Sequence, residues 1–462
     1  MSEFNYDLII IGAGPGGYVS AIRATQLGMK VAVIEKDSPG GVCLNWGCIP
    51  SKSLISQAQK FTYLKDLENM GIKTDTSGFN YESVYKKSRL AATKLSKGVE
   101  FLLKKNNIEL IKGTAKISEK TTVTVDENKQ YTAKNILIAT GSRPKLIPGL
   151  EFDEEGILSS TGALSLKTLP ESMAIIGAGA IGAEFAYILS SFGVQVHLIE
   201  MLDTILPLED KDVSDILAKA FKKNKIKIYT STKAGISQKL NAGYKVKLEA
   251  DGKSDMIEVE KILVAVGRAP NSEDLGLEEL GIKTDRGFIE TGDYYETSVP
   301  GIYAIGDVIN TPLLAHVASK EGEIAVEYIA GKGHEKRIDP TLIPGAVYTE
   351  PQIASFGYTE AKAKEAGYPV KIYSFPYRGA GKAVAVEEPE GLVKLVCHEE
   401  THEILGAHIA GKDATELIHE LLLARKAELL PEDIATMIHA HPTLSEAVME
   451  AARGILGEAI HI

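Results

Sequence analysis

Apolar residues fall in short blocks along the first 270 positions, and each block leads into a turn and then a helical pattern. Tyr6-Asp-Leu-Ile-Ile-Ile-Gly-Ala-Gly-Pro-Gly-Gly17 opens the series. Its unbroken apolar run predicts a parallel strand covered on both faces. A helical pattern follows to Leu27-Gly28, and a second strand, Lys30-Val-Ala-Val-Ile-Glu35, ends in an acid. The pattern then recurs: Met173-Ala-Ile-Ile-Gly-Ala-Gly-Ala-Ile-Gly182, a helix, and Gln195-Val-His-Leu-Ile-Glu200. Asn135–Gly141 and Lys261–Gly267 echo one another as closing strands. Such alternation predicts an α/β chain with two doubly wound, parallel-sheet units.

The glycines give each unit a chemical meaning. Gly12, Gly14 and Gly17 keep the G-x-G-x-x-G spacing, as do Gly177, Gly179 and Gly182. The first glycine permits the tight turn, the second lets a pyrophosphate approach the backbone, and the third lets helix and strand pack closely. The helix N-terminus then offers N–H groups and a positive dipole end to the phosphates. An acid stands 23 positions after the first glycine in both copies, Glu35 and Glu200, where a carboxylate can bond a ribose hydroxyl. One such match could be an ordinary strand–turn–helix; two with equal offsets predict two dinucleotide sites. Met201-Leu-Asp-Thr204 supplies no Arg or Lys beside Glu200, which favours NAD over NADP at the second site.

Composition narrows the partners. The 462 residues carry 51 Lys and Arg against 62 Asp and Glu, a net charge of −11. That balance has no electrostatic footprint for nucleic acid or an anionic membrane surface. Ala174–Val194 is long and apolar enough to suggest a span, but Glu184 and four glycines favour strand, turn and helix instead. No basic leader precedes the first strand, so a cytoplasmic protein is expected.

Three cysteines exclude a disulfide-stapled secreted fold. Cys43 and Cys48 lie five apart in Gly40-Gly-Val-Cys-Leu-Asn-Trp-Gly-Cys-Ile-Pro-Ser-Lys52; Cys397 sits alone in an apparent strand and reads as core. No companion Cys/His pair at zinc spacing is present, so no metal is expected. On an ideal helix, positions five apart differ by about 140° and about 7.5 Å of rise, so closing a disulfide would need a distorted turn, which Gly47 and Pro50 permit. Spacing alone leaves two readings open, a redox pair or two buried thiols that never react. His439 and His441 flank Ala440, and Thr443-Leu-Ser-Glu446 fits a helix capping box. Taken by itself, Glu446 is a helix-start residue.

The cysteine segment resembles the active-site signature of the pyridine nucleotide–disulfide oxidoreductases, and the resemblance runs the length of the chain. It continues in Ala139-Thr-Gly-Ser-Arg-Pro144, Gly301-Ile-Tyr-Ala-Ile-Gly-Asp307 and His439-Ala-His-Pro-Thr-Leu-Ser-Glu446. It implies FAD at the first site, with Gly113, Thr140, Gly141, Ser142, Asp307, Leu314, Ala315 and His316 among the residues around it. It implies a pyridine nucleotide at the second site, with Gly267 beside it, and Lys52 near the reactive flavin nitrogen paired with Glu184. Cys43 and Cys48 are then a redox-active disulfide, His441 the base that takes a proton from a dithiol, and Glu446 its partner. These two reach the disulfide of the other subunit in a homodimer. The motif is closer to the branch that oxidises dihydrolipoyl groups than to glutathione reductases. That implies lipoyl domains of 2-oxoacid dehydrogenase or glycine-cleavage complexes as partners. Another NAD(P)H-linked disulfide reductase, or a diaphorase, is the alternative. The expected division is 1–147 for FAD, 148–270 for NAD, 271–343 returning to complete the flavin site, and 344–462 as an α+β dimerisation domain.

Overall fold

A computed structural model describes residues 4–461. The two glycine-bearing strands stand at the centres of two separate sheets. In the first, Tyr6–Ile11 lies between Val31–Glu35 and Lys129–Ile138, with Glu109–Lys112 beyond the former and Ile302–Ala304 beyond the latter, all parallel. The outer half of Lys129–Ile138 also begins an antiparallel meander with Thr122–Val125 and Ala115–Glu119. In the second, Ser172–Ile176 lies between Gln195–Ile199 and Lys261–Val264, flanked by Lys227–Tyr229 and Ile157–Leu158, again parallel. A separate antiparallel sheet, Lys233–Leu240, Gly243–Ala250 and Lys253–Val259, is inserted before its closing strand.

The central strands are apolar on both faces because both are covered. Leu8, Ile9 and Ile10 are fully buried, as are Met173, Ala174 and Ile175. Ala174–Val194, considered above as a span, is the end of a strand, a turn and the helix Ala180–Ser191. Among the described residues no helix is long and apolar enough to cross a membrane.

Residues from Gly345 onward build a five-stranded antiparallel sheet ordered Gly345–Val347, Gln352–Gly357, Ile404–Gly411, Leu392–His398, Val370–Pro376. The helices Ala414–Lys426 and Ser445–Leu456 pack on it, and Cys397 is fully buried in that core. A buried cation joins this sheet to the second unit. Lys394 is 2% exposed, and its Nζ meets Asp210 at 2.9 Å, Asp212 at 2.7 Å and Glu360 at 2.9 Å. Removing one partner from such a cluster typically costs about 3–5 kcal/mol, so the pairing fixes how the two bodies sit.

Candidate functional site

The two glycine turns have nearly the same geometry. Gly12 has φ +104° and Gly177 φ +101°, a region that disfavours side chains. A Cβ at Gly17 would stand 1.9 Å from the carbonyl oxygen of Gly12, and one at Gly182 the same distance from that of Gly177. Gly14 and Gly179 cap their helices without any side-chain hydrogen bond, at φ −68° and −71°. No atom lies within 4 Å of where a Cβ would stand on either. Both helices thus begin with N–H groups that no side chain caps, beside an open approach to the backbone, which is the cradle a pyrophosphate needs. The residues present fit a dinucleotide at each turn.

The two acids are held alike. Glu35 accepts from the N–H of Ala13 at 2.8 Å and of Asp37 at 2.8 Å; Glu200 accepts from Ala178 at 2.8 Å and Leu202 at 3.0 Å. Each carboxylate is therefore locked at its strand end next to its own glycine turn. Gly113 donates its N–H to the carbonyl of Glu35 at 3.0 Å, closing the same corner. Gly141 and Gly267 stand at equivalent strand ends, each with open space where a Cβ would be.

The cysteines sit on either side of a helix break. Cys43 belongs to the short helix Gly41–Trp46, and Cys48 opens the long helix Cys48–Asn69. Between them Gly47 adopts φ −152° and ψ −114°, abandoning helical geometry. This is the distortion that the spacing required, and Gly47 alone supplies it. Pro50 falls in the first turn of the second helix, where its missing N–H costs nothing. Both cysteines are free thiols and hydrogen-bonded to one another. The bond from Cys43 brings Cys48 down to about 7 despite the opposing effect of burial, and the Lys52 ammonium adds to the shift. Cys43 is raised by the same bond and by burial. A thiolate at Cys48 sits at a helix N-terminus, where its charge is favoured.

Trp46, the one tryptophan, packs the short helix: the Arg89 guanidinium lies 4.9 Å from its ring centre, and Arg89 Nη1 donates to the carbonyl of Asn45 at 2.8 Å.

Lys52 and Glu184 are brought together from different units. Lys52 Nζ reaches both carboxylate oxygens of Glu184, at 2.9 and 3.0 Å. Ser142 Oγ donates to Asp307 at 2.5 Å, and Arg268 Nε donates to Ser142 at 2.6 Å. Thr140 Oγ1 donates to the carbonyl of Asn271 at 2.7 Å. Asp307 lies on the turn Gly306–Val308, whose Gly306 N–H donates to Glu321 at 2.6 Å. Burial pushes Glu321 up to about 7. Leu314 caps the helix Ala315–Ile329 without a side-chain bond, so Ala315 and His316 present another N-terminus. His316 donates its Nε2–H to the carbonyl of Pro344 at 2.9 Å.

In the single chain 75% of the His441 side chain is exposed. Its Nδ1 lies 2.9 Å from Glu446, whose other oxygen accepts the N–H of Thr443 at 2.9 Å. The capping box forms only in half. Thr443 Oγ1 donates instead to the carbonyl of Ala440 at 2.7 Å, and the helix begins at Ser445. Glu446 thus does both things the sequence offered as alternatives. Burial raises it, yet the Thr443 N–H and the His441 ring outweigh that and hold it below the usual carboxylate range. His439, 3% exposed, is bound to Glu420 at 2.8 Å and faces inward.

Three residues that contact these side chains or their turns escaped the sequence reading: Arg268, Glu321 and Tyr348, whose ring centre lies 4.3 Å from Lys52 Nζ. Arg268 follows Gly267 directly, so proximity to a glycine turn was its available signal. The other two meet their partners only through tertiary packing.

Comparison with known proteins agrees with this geometry. Residues 6–322 match the family described as pyridine nucleotide-disulphide oxidoreductase, and residues 343–452 its dimerisation domain. The chain is 45% identical to a dihydrolipoyl dehydrogenase of Geobacillus stearothermophilus, over 99% of this chain and 97% of the relative. A Corynebacterium glutamicum protein of the same name is 45% identical, over 99% of both. Among solved structures, LpdA from Mycobacterium tuberculosis superposes with a TM-score of 0.89 at 27% identity, covering 97% of this chain and 99% of that one. The HOCl-induced flavoprotein disulfide reductase RclA from Escherichia coli gives 0.86 at 27%, with 97% and 99% covered.

Proposed function

We propose that this chain, which belongs to the pyridine nucleotide-disulphide oxidoreductase family, oxidises a protein-bound dihydrolipoyl group to its disulfide and reduces NAD to NADH. The observation that carries the reading is the thiol pair across the Gly47 break, one sulfur opening a long helix beside Lys52. The relatives named dihydrolipoyl dehydrogenase over nearly the full length support the choice of substrate.

In the oxidised enzyme Cys43 and Cys48 are joined. His441 takes a proton from the substrate dithiol at Nε2 while its Nδ1–H is held by Glu446, which fixes the tautomer and stabilises the cation. The substrate thiolate attacks Cys43, forming a mixed disulfide and releasing Cys48 as thiolate. The second substrate thiol displaces Cys43, leaving lipoyl disulfide and the reduced pair. The first glycine turn, with Glu35, Ser142 and Asp307, would hold FAD, which would supply two-electron chemistry between the thiols and the nicotinamide. The second turn, with Glu200 at its strand end, would hold NAD. A homodimer brings the exposed His441 of one chain to the cysteines of the other, and the match to a dimerisation domain supports this. Lipoyl domains of 2-oxoacid dehydrogenase or glycine-cleavage complexes are the partners this chemistry serves, in the cytoplasm.

The test is anaerobic addition of dihydrolipoamide to the purified holoenzyme, then NAD or NADP. Long-wavelength thiolate–flavin absorbance followed by NADH formation is the expected result. A spectrum unmoved by dihydrolipoamide but bleached by NADH would leave the fold standing and remove the substrate.

A further inference from the structure

The Lys52–Glu184 pair has a third member. Lys52 projects from Cys48–Asn69, Glu184 from Ala180–Ser191, and Tyr348 from the turn joining Gly345–Val347 to Gln352–Gly357. Tyr348 grips both ends of the pair. Its backbone N–H donates to Glu184 Oε1 at 3.1 Å, the oxygen that also takes Lys52 Nζ at 2.9 Å. Its ring face lies 4.3 Å from the same Nζ. Two of the three ammonium donors are spent on Glu184, and the aromatic face covers a further side of the cation. We propose that Tyr348 is a positioning residue for Lys52, its ring confining the ammonium beside Cys48.

The consequence follows from helix geometry. Lys52 lies four residues after Cys48, one turn along the same face, so a confined ammonium is a fixed positive charge near the sulfur. The groups whose charges bear on Cys48 come from every neighbouring element: the Cys43 thiol of the short helix, Lys52 on its own helix, Glu184 of the second unit, Arg268 beside the strand Lys261–Val264, and the Tyr348 hydroxyl. Lys52 favours the Cys48 thiolate and Glu184 opposes it. Which one dominates depends on where the ammonium is held. Even with the ring in place one third of the Lys52 side chain is exposed, so without it the lysine can swing outward, leaving the carboxylate behind. The thiolate that the proposed reaction releases at Cys48 is thereby tuned from the C-terminal sheet, well outside the glycine units. The argument rests on that reading of Cys48.

Tyr348→Leu removes the ring and keeps the backbone N–H; Tyr348→Phe keeps both. The holoenzymes are reduced with one equivalent of dithionite, so the dihydrolipoyl assignment plays no part. Thiolate–flavin absorbance is then titrated with pH, and the rate of thiol alkylation by iodoacetamide is followed in parallel. The midpoint should rise by roughly 0.5–1 pH unit in the Leu variant, the order expected when a nearby opposite charge is loosened, and stay with wild type in the Phe variant. A Leu variant that titrates with wild type overturns the proposal, and so does a Phe variant that shifts as far as Leu. If the Leu variant does not fold, Tyr348→Met fills similar space without a ring and is read the same way.

Discussion

The two glycine turns are close copies down to individual hydrogen bonds, and their units differ most in the crossover that follows. In the first, the chain leaving Glu35 returns to the turn through Gly40, whose N–H donates to Ala13 at 2.8 Å; in the second, Leu206 donates to Ala178 at 2.8 Å. Beyond that contact the second unit runs through one helix, Lys211–Lys223, to its third strand at Lys227. The first takes a far longer route through Gly41–Trp46, Cys48–Asn69 and Tyr81–Lys105 before reaching Glu109. Both cysteines and Lys52 lie on that longer route. On the reading proposed above, the thiol chemistry is an elaboration of one crossover. The elaboration also presses on the cradle. A Cβ on Gly41 would stand 2.8 Å from Gly14 Cα, whereas beside the second turn Met201 and Leu202 are largely exposed.

Substitutions that separate the two units test this division. Cys43→Ser should lower dihydrolipoamide turnover by on the order of 10³-fold or more, while NADH still bleaches the flavin; an active variant would refute the thiol route. His441→Ala should slow the dithiol half by roughly 10²–10⁴-fold, the usual worth of a general base. Stopped-flow reduction by NADH should be unchanged, and equal slowing of both halves would remove His441 from its role. The third glycines give the sharpest contrast, since the predicted clash is the same in both. Gly17→Ala should yield colourless protein. Gly182→Ala should stay yellow and bind NAD about a hundredfold more weakly, near the upper end for one misplaced contact. If both lose flavin, the units are not separable. Smallest is Glu200→Gln, which should narrow the preference for NAD over NADP by about tenfold; an unchanged ratio of kcat/KM would show that the acid does not choose the nucleotide.

Much of this was legible in advance because backbone geometry restricts residue type. Only glycine fits where a Cβ would meet a carbonyl at 1.9 Å, so the turns announce themselves, and the acid offset follows from strand and helix lengths. The Gly47 break was legible for the same reason, since five-residue spacing cannot bring sulfurs together on a regular helix. The half-formed box at Glu446 was not, because the local pattern is the same whether Thr443 turns to the helix or to Ala440. Arg268 and Tyr348 were hidden for another reason. Their partners, Ser142, Lys52 and Glu184, lie more than a hundred residues away, and nothing in the spacing encodes the meeting.

The two sheets also differ in when they can be finished. The second draws all five strands from Ile157 to Val264, so it can close once that stretch has left the ribosome. The first must wait for Ile302–Ala304 to be made before its outer edge beside Lys129–Ile138 is covered. An uncovered parallel edge is exposed to wrong pairings while synthesis continues. The later-encoded unit is therefore the earlier to mature, and the first sheet is completed only after the whole second unit has been translated.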